Sequence, residues 1–275
     1  MNNSDNGWAI NTEVLTRQFG KLTAVDRLDL NVPRGVIFGF LGPNGAGKST
    51  TINMLVGLLR PTSGRARVAG FDVQAEPLEV KRRIGVVPEG LSMYERLTAF
   101  EQVELVGRLH GLDRQVLDRR IPPLLEMLDL HDSADKMILD YSAGMRKKTA
   151  MAAALIHAPE VLFLDEPFES VDPISTRAIK NILRDMVTQR GTTVFFSTHV
   201  MELAERFCDQ VGILNKGTLV ATGSIPELRQ RAGLPEEAPL EDVFLHSVQA
   251  EAAGLPDQDL LAWLTGHDDG APAGA

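Results

Sequence analysis

The sequence has a single cysteine, Cys208, in 275 residues, so no disulfide can close within the chain and nothing in it asks for an oxidising compartment. As an ordinary side chain, Cys208 reads as a small buried hydrophobe. Positive charge is not in surplus either. Twenty-eight Lys and Arg against 37 Asp and Glu leave a formal charge of -9, which gives no overall attraction to phosphodiester backbones or anionic lipid. Nucleic acid is therefore not an expected partner. Apolar runs of roughly 18 to 20 residues, the length that spans a bilayer, are absent, because Gly, Pro, His or a charge interrupts every candidate. Met1 to Gly7 is polar and lacks the basic start and apolar core of a secretory signal. Internal repeats and sustained heptads are missing too. What remains, 44% hydrophobic and 24% charged residues, is an ordinary globular composition for one large domain carrying a smaller one. Any membrane role is expected to be peripheral.

Hydrophobic periodicity divides the chain. From Ile10 to Val32, short β-prone runs such as Glu13–Thr16 and Leu28–Val32 alternate in polarity, as half-exposed antiparallel strands do. Gly35 to Leu41 is an unbroken apolar run, the pattern of a strand buried on both faces, and a helix is predicted from Lys48 to about Leu59, closed by Pro61. Further buried strands are predicted at Val161–Leu164 and Thr192–Ser197, each followed by helix-like sequence, which makes a parallel α/β core. Between about Leu91 and Tyr141 the pattern is helical only. Thr98 with Glu101 three residues on forms a capping box, and Val116, Leu117, Ile121, Leu124, Leu125 and Leu128 recur at helical spacing. Beyond Pro226 come short helical pieces, then His267–Ala275, whose composition predicts disorder.

Gly42-Pro43-Asn44-Gly45-Ala46-Gly47-Lys48-Ser49 fits G-x-x-x-x-G-K-[ST] and stands between a buried strand and a helix, with Thr50 next in the helix start. Glycines let the backbone wrap phosphate oxygens, and the helix start adds N–H donors and a favourable dipole. Lys48 is placed to neutralise β- and γ-phosphates and Ser49 to ligate Mg²⁺. Val161-Leu162-Phe163-Leu164-Asp165-Glu166-Pro167 carries two carboxylates at the carboxyl end of a core strand, where α/β sheets bind ligands. Asp165 suits Mg²⁺, directly or through its water. Glu166 suits the water that attacks the γ-phosphate.

With these motifs in this order, the chain resembles the ABC ATPase family over residues 10–225. Tyr141-Ser142-Ala143-Gly144-Met145 is similar to the family signature Leu-Ser-Gly-Gly-Gln, departs from it at Tyr141, Ala143 and Met145, and precedes a helix opening with Arg146-Lys147-Lys148. The resemblance implies that Ser142 and Gly144 donate to the γ-phosphate of a nucleotide held by a partner subunit. Glu89, in Val87-Pro88-Glu89, stands where the family commonly has the glutamine of its Q-loop, and a carboxylate there can still reach Mg²⁺ or the attacking water. Asp172, in Ser170-Val171-Asp172, matches the D-loop acid, His199, in Ser197-Thr198-His199, the switch histidine, and Phe19 the aromatic that stacks on adenine. Leu240-Glu241-Asp242-Val243-Phe244-Leu245 looks like the tail segment of ATPases that serve drug, polysaccharide or lipid exporters with separate membrane subunits.

The implied fold is an α/β P-loop NTPase core with a parallel sheet, an N-terminal antiparallel β subdomain and an inserted α-helical subdomain. Residues 1–90 and 141–225 are expected to form the ATP-binding core, 91–140 the helical subdomain, and 226–275 a C-terminal helical extension and tail. The implied activity is Mg²⁺-dependent hydrolysis of ATP by a homodimer or paralogous heterodimer that powers transport, export above import. Its membrane subunits are separate chains, so the protein is expected in the cytoplasm, peripheral on the inner face of the cell membrane. Two other functions share such a site: a DNA-maintenance ABC ATPase, which would carry long coiled coils or added DNA-binding modules, and a nucleotide-gated regulator, which would hydrolyse ATP slowly.

Overall fold

The computed structural model describes residues 7–169 and 171–252. The alternating N-terminal segment folds as expected into an antiparallel sheet. Its long first strand β1 (Trp8–Phe19) pairs with β2 (Leu22–Leu28), β3 (Asn31–Pro33) and β5 (Ser63–Val68), and β5 pairs with β6 (Phe71–Asp72). The second sheet has the order β11-β10-β4-β9-β8-β7, built from β4 (Ile37–Leu41), β7 (Ile84–Val87), β8 (Val161–Asp165), β9 (Thr193–Thr198), β10 (Gln210–Asn215) and β11 (Thr218–Gly223). Every neighbour in it is parallel except β11 against β10. The three apolar strands predicted from the sequence lie at its centre.

The period-2 alternation of side chains explains why those strands read as continuous apolar runs. Phe38, Phe40, Val161, Phe163 and Phe195 point to the core shared with the antiparallel sheet, where Phe38 and Phe195 stack at 5.5 Å between ring centres. Leu162, Leu164, Val194 and Phe196 point to the opposite face, covered by the helices α3 (Ala99–Leu109), α4 (Arg114–Met127), α5 (Ala143–Leu155) and α6 (Pro173–Arg190). A third cluster gathers Leu41 and Ile213 with α7 (Met201–Phe207), α8 (Ile225–Arg231) and α9 (Leu240–Ala252).

Helix boundaries follow local chemistry. Thr98 and Glu101 make the predicted reciprocal capping box of α3. On α4, Leu117, Ile121, Leu124 and Leu125 are buried, as is Leu128 at its C-terminal cap, while Val116 is only half-buried. The helix α1 (Lys48–Leu55) is shorter than the predicted Lys48–Leu59. Gly57 takes a φ of 74°, a left-handed conformation that ends the helix, and Leu58, read as its apolar continuation, is 67% exposed. Cys208 packs between two of the hydrophobic clusters, and burial pushes its thiol well above the usual range. In the tail, α9 begins at Leu240, with Leu240 and Val243 buried in the third cluster. The segment His267–Ala275 lies outside the described residues.

Candidate functional site

Four parallel strands, β4, β9, β8 and β7, deliver their carboxyl ends to one edge of the sheet, and the glycine loop, His199, the Asp165-Glu166 pair and Glu89 follow from those ends. Register aligns them: Leu41 sits opposite Thr198, Asp165 opposite Ser197, and Val87 opposite Leu164. From β4 the chain enters the glycine loop. Gly42 and Gly47 have φ of 158° and 105°, and a Cβ on either would meet a backbone oxygen, Leu214 O at 2.3 Å or Ala24 O at 2.4 Å. Only glycine fits those two positions. Gly47 leads straight into α1, so the N–H groups of Lys48, Ser49 and Thr50 are helix-start donors without helical partners of their own. Thr51 is fully buried and fastens the turn by donating to Gly47 O at 2.9 Å.

Lys48 is buried under the loop and donates from Nζ to Gly42 O at 2.8 Å and Pro43 O at 3.2 Å. The same nitrogen lies 3.6 Å from Glu166 Oε1, which also lies 3.1 Å from His199 Nδ1. Glu166 is thus held between the phosphate-loop lysine and the histidine of the next strand. Its backbone is unusual, with φ 45°, and its N–H donates to Ser197 Oγ at 3.0 Å. Ser197 in turn donates to Asp165 Oδ1. This buried serine orients both carboxyl residues through one hydroxyl.

Glu89 follows β7 by two residues and leaves the same edge exposed to solvent. Ser142 is exposed, caps α5 and accepts from Met145 N–H at 3.2 Å, so the start of α5 and Gly144 face outward from the core. Asp172 caps α6 by accepting from Ser175 N–H at 2.9 Å, and hydrogen bonds from Ser175 hold its carboxyl below the ordinary aspartate range. Ser170, read with it in the sequence, lies outside the described residues. Phe19 is 45% exposed at the end of β1 with the Arg17 guanidinium 4.4 Å over its ring, so it is a surface aromatic and not part of the core. It belongs to the same hairpin as Ala24, which abuts Gly47.

Two side chains at this edge escaped the sequence reading. Ser197 was legible only as a strand residue, because its role comes from register with Asp165, 32 positions away. Lys147, read as part of a basic helix opening, is buried and donates from Nζ to the main-chain carbonyls of Glu166 and, at 3.1 Å, Glu169. Burial pushes its ammonium below the usual lysine range, and the carboxylates of Glu169, Glu166, Glu89 and Asp165 oppose that shift.

Residues 25–169 match the family model described as ABC transporter. The chain belongs to the ABC transporter family. It is 40% identical to the daunorubicin/doxorubicin resistance ATP-binding protein DrrA of Streptomyces peucetius over 266 residues, 96% of this chain and 78% of that protein. It is 37% identical to the bacitracin transport ATP-binding protein BcrA of Enterococcus faecalis over 224 residues, 82% of this chain and 72% of that one. Among solved structures, an ATP-binding subunit of an ABC transporter superposes with a TM-score of 0.82 at 29% identity, covering 87% of this chain and 99% of that one. A dimeric bacterial ABC transporter cassette superposes at 0.73 with 25% identity, covering 78% and 98%. The protein is therefore an ABC ATPase: it binds ATP, hydrolyses it and drives transport. Among its described residues no helix is long and apolar enough to cross a membrane.

Proposed function

We propose that this ABC ATPase is the motor of an exporter whose membrane-spanning subunits are separate polypeptides, held through them at the inner face of the cell membrane. The observation that carries this reading is a groove beside the nucleotide site. A cavity of 730 Å³ opens between α2 (Pro77–Arg83), β7, α3 and α5, lined by apolar residues that include Val86, Leu91, Met93 and Val106. Leu78 and Leu109 stand 67% and 79% exposed on its wall, a concentration of apolar surface that a solvated rim has no reason to keep. Lys81 and Arg82 supply the charge. The stacked rings of His110 and His157 add none near neutral pH, because burial lowers both and holds His157 at about 4. The groove suits a short amphipathic helix with an acidic residue, offered by a membrane subunit. DrrA and BcrA, named for daunorubicin/doxorubicin resistance and for bacitracin transport, support export as the direction.

The test is Leu109→Arg, which places a charge on an exposed groove wall without touching the core. Co-expressed with its membrane subunit, the variant is expected to stay in the soluble fraction while its thermal unfolding matches wild type. Full recovery at the membrane would remove the groove from the docking surface.

At the nucleotide, Lys48 and the N–H groups of Gly45 to Thr50 would bind the phosphates, Phe19 the base, and Glu166 with His199 the attacking water. Mg²⁺ fits the donors available. Ser49, Asp165 and Glu89 offer hard oxygen atoms, and among the described residues no set of three or more His, Cys, Asp or Glu side chains forms a cage of its own. That is the pattern of an ion shared with substrate phosphates and water. Bound there, it would neutralise charge on the transferred phosphoryl group. Ser142, Gly144 and Asp172 would serve across a homodimer or paralogous heterodimer. Glu89 adds a charge where glutamine is usual. Glu89→Gln is expected to sustain ATP turnover, whereas Glu89→Ala weakens its Mg²⁺ dependence. Phosphate release measured across a Mg²⁺ titration separates these, and a Gln variant as inactive as the Ala variant would give the carboxylate itself a part in the chemistry.

A further inference from the structure

Lys147 is 7% exposed in a helix whose next eight residues are all buried and carry no charge beyond Lys148. Burying an ammonium is costly unless hydrogen bonds replace its water. Here the replacement is specific. Its Nζ crosses from α5 to the turn after β8 and donates to two main-chain carbonyls, those of Glu166 and Glu169, and the Glu166 carbonyl also accepts from Glu169 N–H at 3.3 Å.

The residue so gripped has the strained backbone of the site. A non-glycine φ near 45° is strained and persists only where the surroundings over-determine it. Ser197 holds the N–H of Glu166, His199 and Lys48 flank its carboxylate, and Lys147 holds its carbonyl. Fixing both the N–H and the carbonyl of one residue fixes its peptide planes, and with them the direction of the Cα–Cβ bond. The cation also stands among the carboxylates that crowd this edge, Glu89 included, where the family's usual glutamine would bring no charge.

We propose that Lys147 is a positioning residue for ATP hydrolysis, which aims the Glu166 carboxylate by holding the Glu166 and Glu169 carbonyls and ties that carboxylate to the helix bearing Ser142 and Gly144. This rests on the reading of Glu166 as the group that orients the attacking water.

Lys147→Met keeps the unbranched apolar stem of the side chain, one atom shorter, and removes its donors. Steady-state kinetics are expected to show kcat lowered by about tenfold or more, with affinity for a fluorescent ATP analogue within about twofold of wild type. Lys147→Arg, which keeps a cation and its donors, should hold kcat within about threefold of wild type. In a Glu166→Gln background, adding Lys147→Met should leave the residual single-turnover rate unchanged, because the lysine acts only through that carboxylate. The proposal is overturned by a Met variant with wild-type kcat, by an Arg variant as slow as the Met variant, by a loss of nucleotide affinity that parallels the loss of rate, or by a further multiplicative loss in the Glu166→Gln background. A Glu166→Gln protein that still turns over would instead remove the reading on which the proposal rests. An inactive Glu166→Gln beside an unaffected Lys147→Met would remove the role of Lys147 alone.

Discussion

Glu166→Gln is expected to lower ATP turnover by about 10²–10⁴-fold, the usual contribution of a positioned general base, while ATP affinity stays near wild type. The substitution is nearly isosteric, so the backbone conformation at φ 45° and the N–H bond to Ser197 are unaffected. What changes is charge and basicity between two cations or potential cations. Lys48 loses the carboxylate 3.6 Å away and keeps both loop carbonyls, so the phosphate cradle retains its form. His199 can still hydrogen-bond to the amide. Binding should therefore survive and chemistry should not. Phosphate release under saturating ATP, set beside equilibrium binding of a fluorescent nucleotide, reads the two separately. Retained turnover would transfer the role to another carboxylate at this edge, Glu89 first. A parallel collapse of binding would make Glu166 part of the phosphate cradle rather than the water's partner.

How much of this was legible in the chain depends on how local each feature is. The glycine loop and the Asp165-Glu166 strand end are contiguous, and their chemistry follows from a strand, a turn and a helix start that adjacent residues dictate. The core strands were legible for the same reason, since burial on both faces leaves an unbroken apolar run. Ser197 and Lys147 were not. One acts through strand register and the other through packing of α5 against the turn after β8, 19 residues on, and no periodicity records either. The overlong α1 shows the reverse error: Leu58 and Leu59 continue the apolar spacing, but the left-handed Gly57 turns the chain before they can belong to the helix. Phe19, matched to an adenine-stacking aromatic, sits at the surface with Arg17 over its ring, a contact that no local pattern in the sequence records.

The second large effect concerns the proposed composite site, in which each ATP would lie between Lys48 of one subunit and Ser142 of the other. Within one chain the lysine is buried beneath the phosphate loop and the serine stands exposed at the start of α5, as a group that meets its ligand only when a second subunit closes would stand. A two-fold dimer has two such sites related by symmetry. Let one tagged subunit carry Lys48→Ala and the other Ser142→Arg, and purify the mixed dimer through both tags. One site then combines both defects, and the other pairs an intact loop with an intact signature. Turnover at about half the wild-type rate is expected if the two sites work independently. Next place both substitutions on one subunit and pair it with wild type, so that the mutational load is the same. Now each site has one defect, the missing lysine or the blocking arginine, and turnover should fall far below that of the first arrangement. Equal rates in the two mixed dimers would mean that Lys48 and Ser142 do not meet across an interface. Should both arrangements be inactive, the sites depend on each other, and trapping of radiolabelled ATP in a Glu166→Gln background replaces turnover as the measurement. Trapping should then persist in the first arrangement, which keeps one complete site, and disappear from the second.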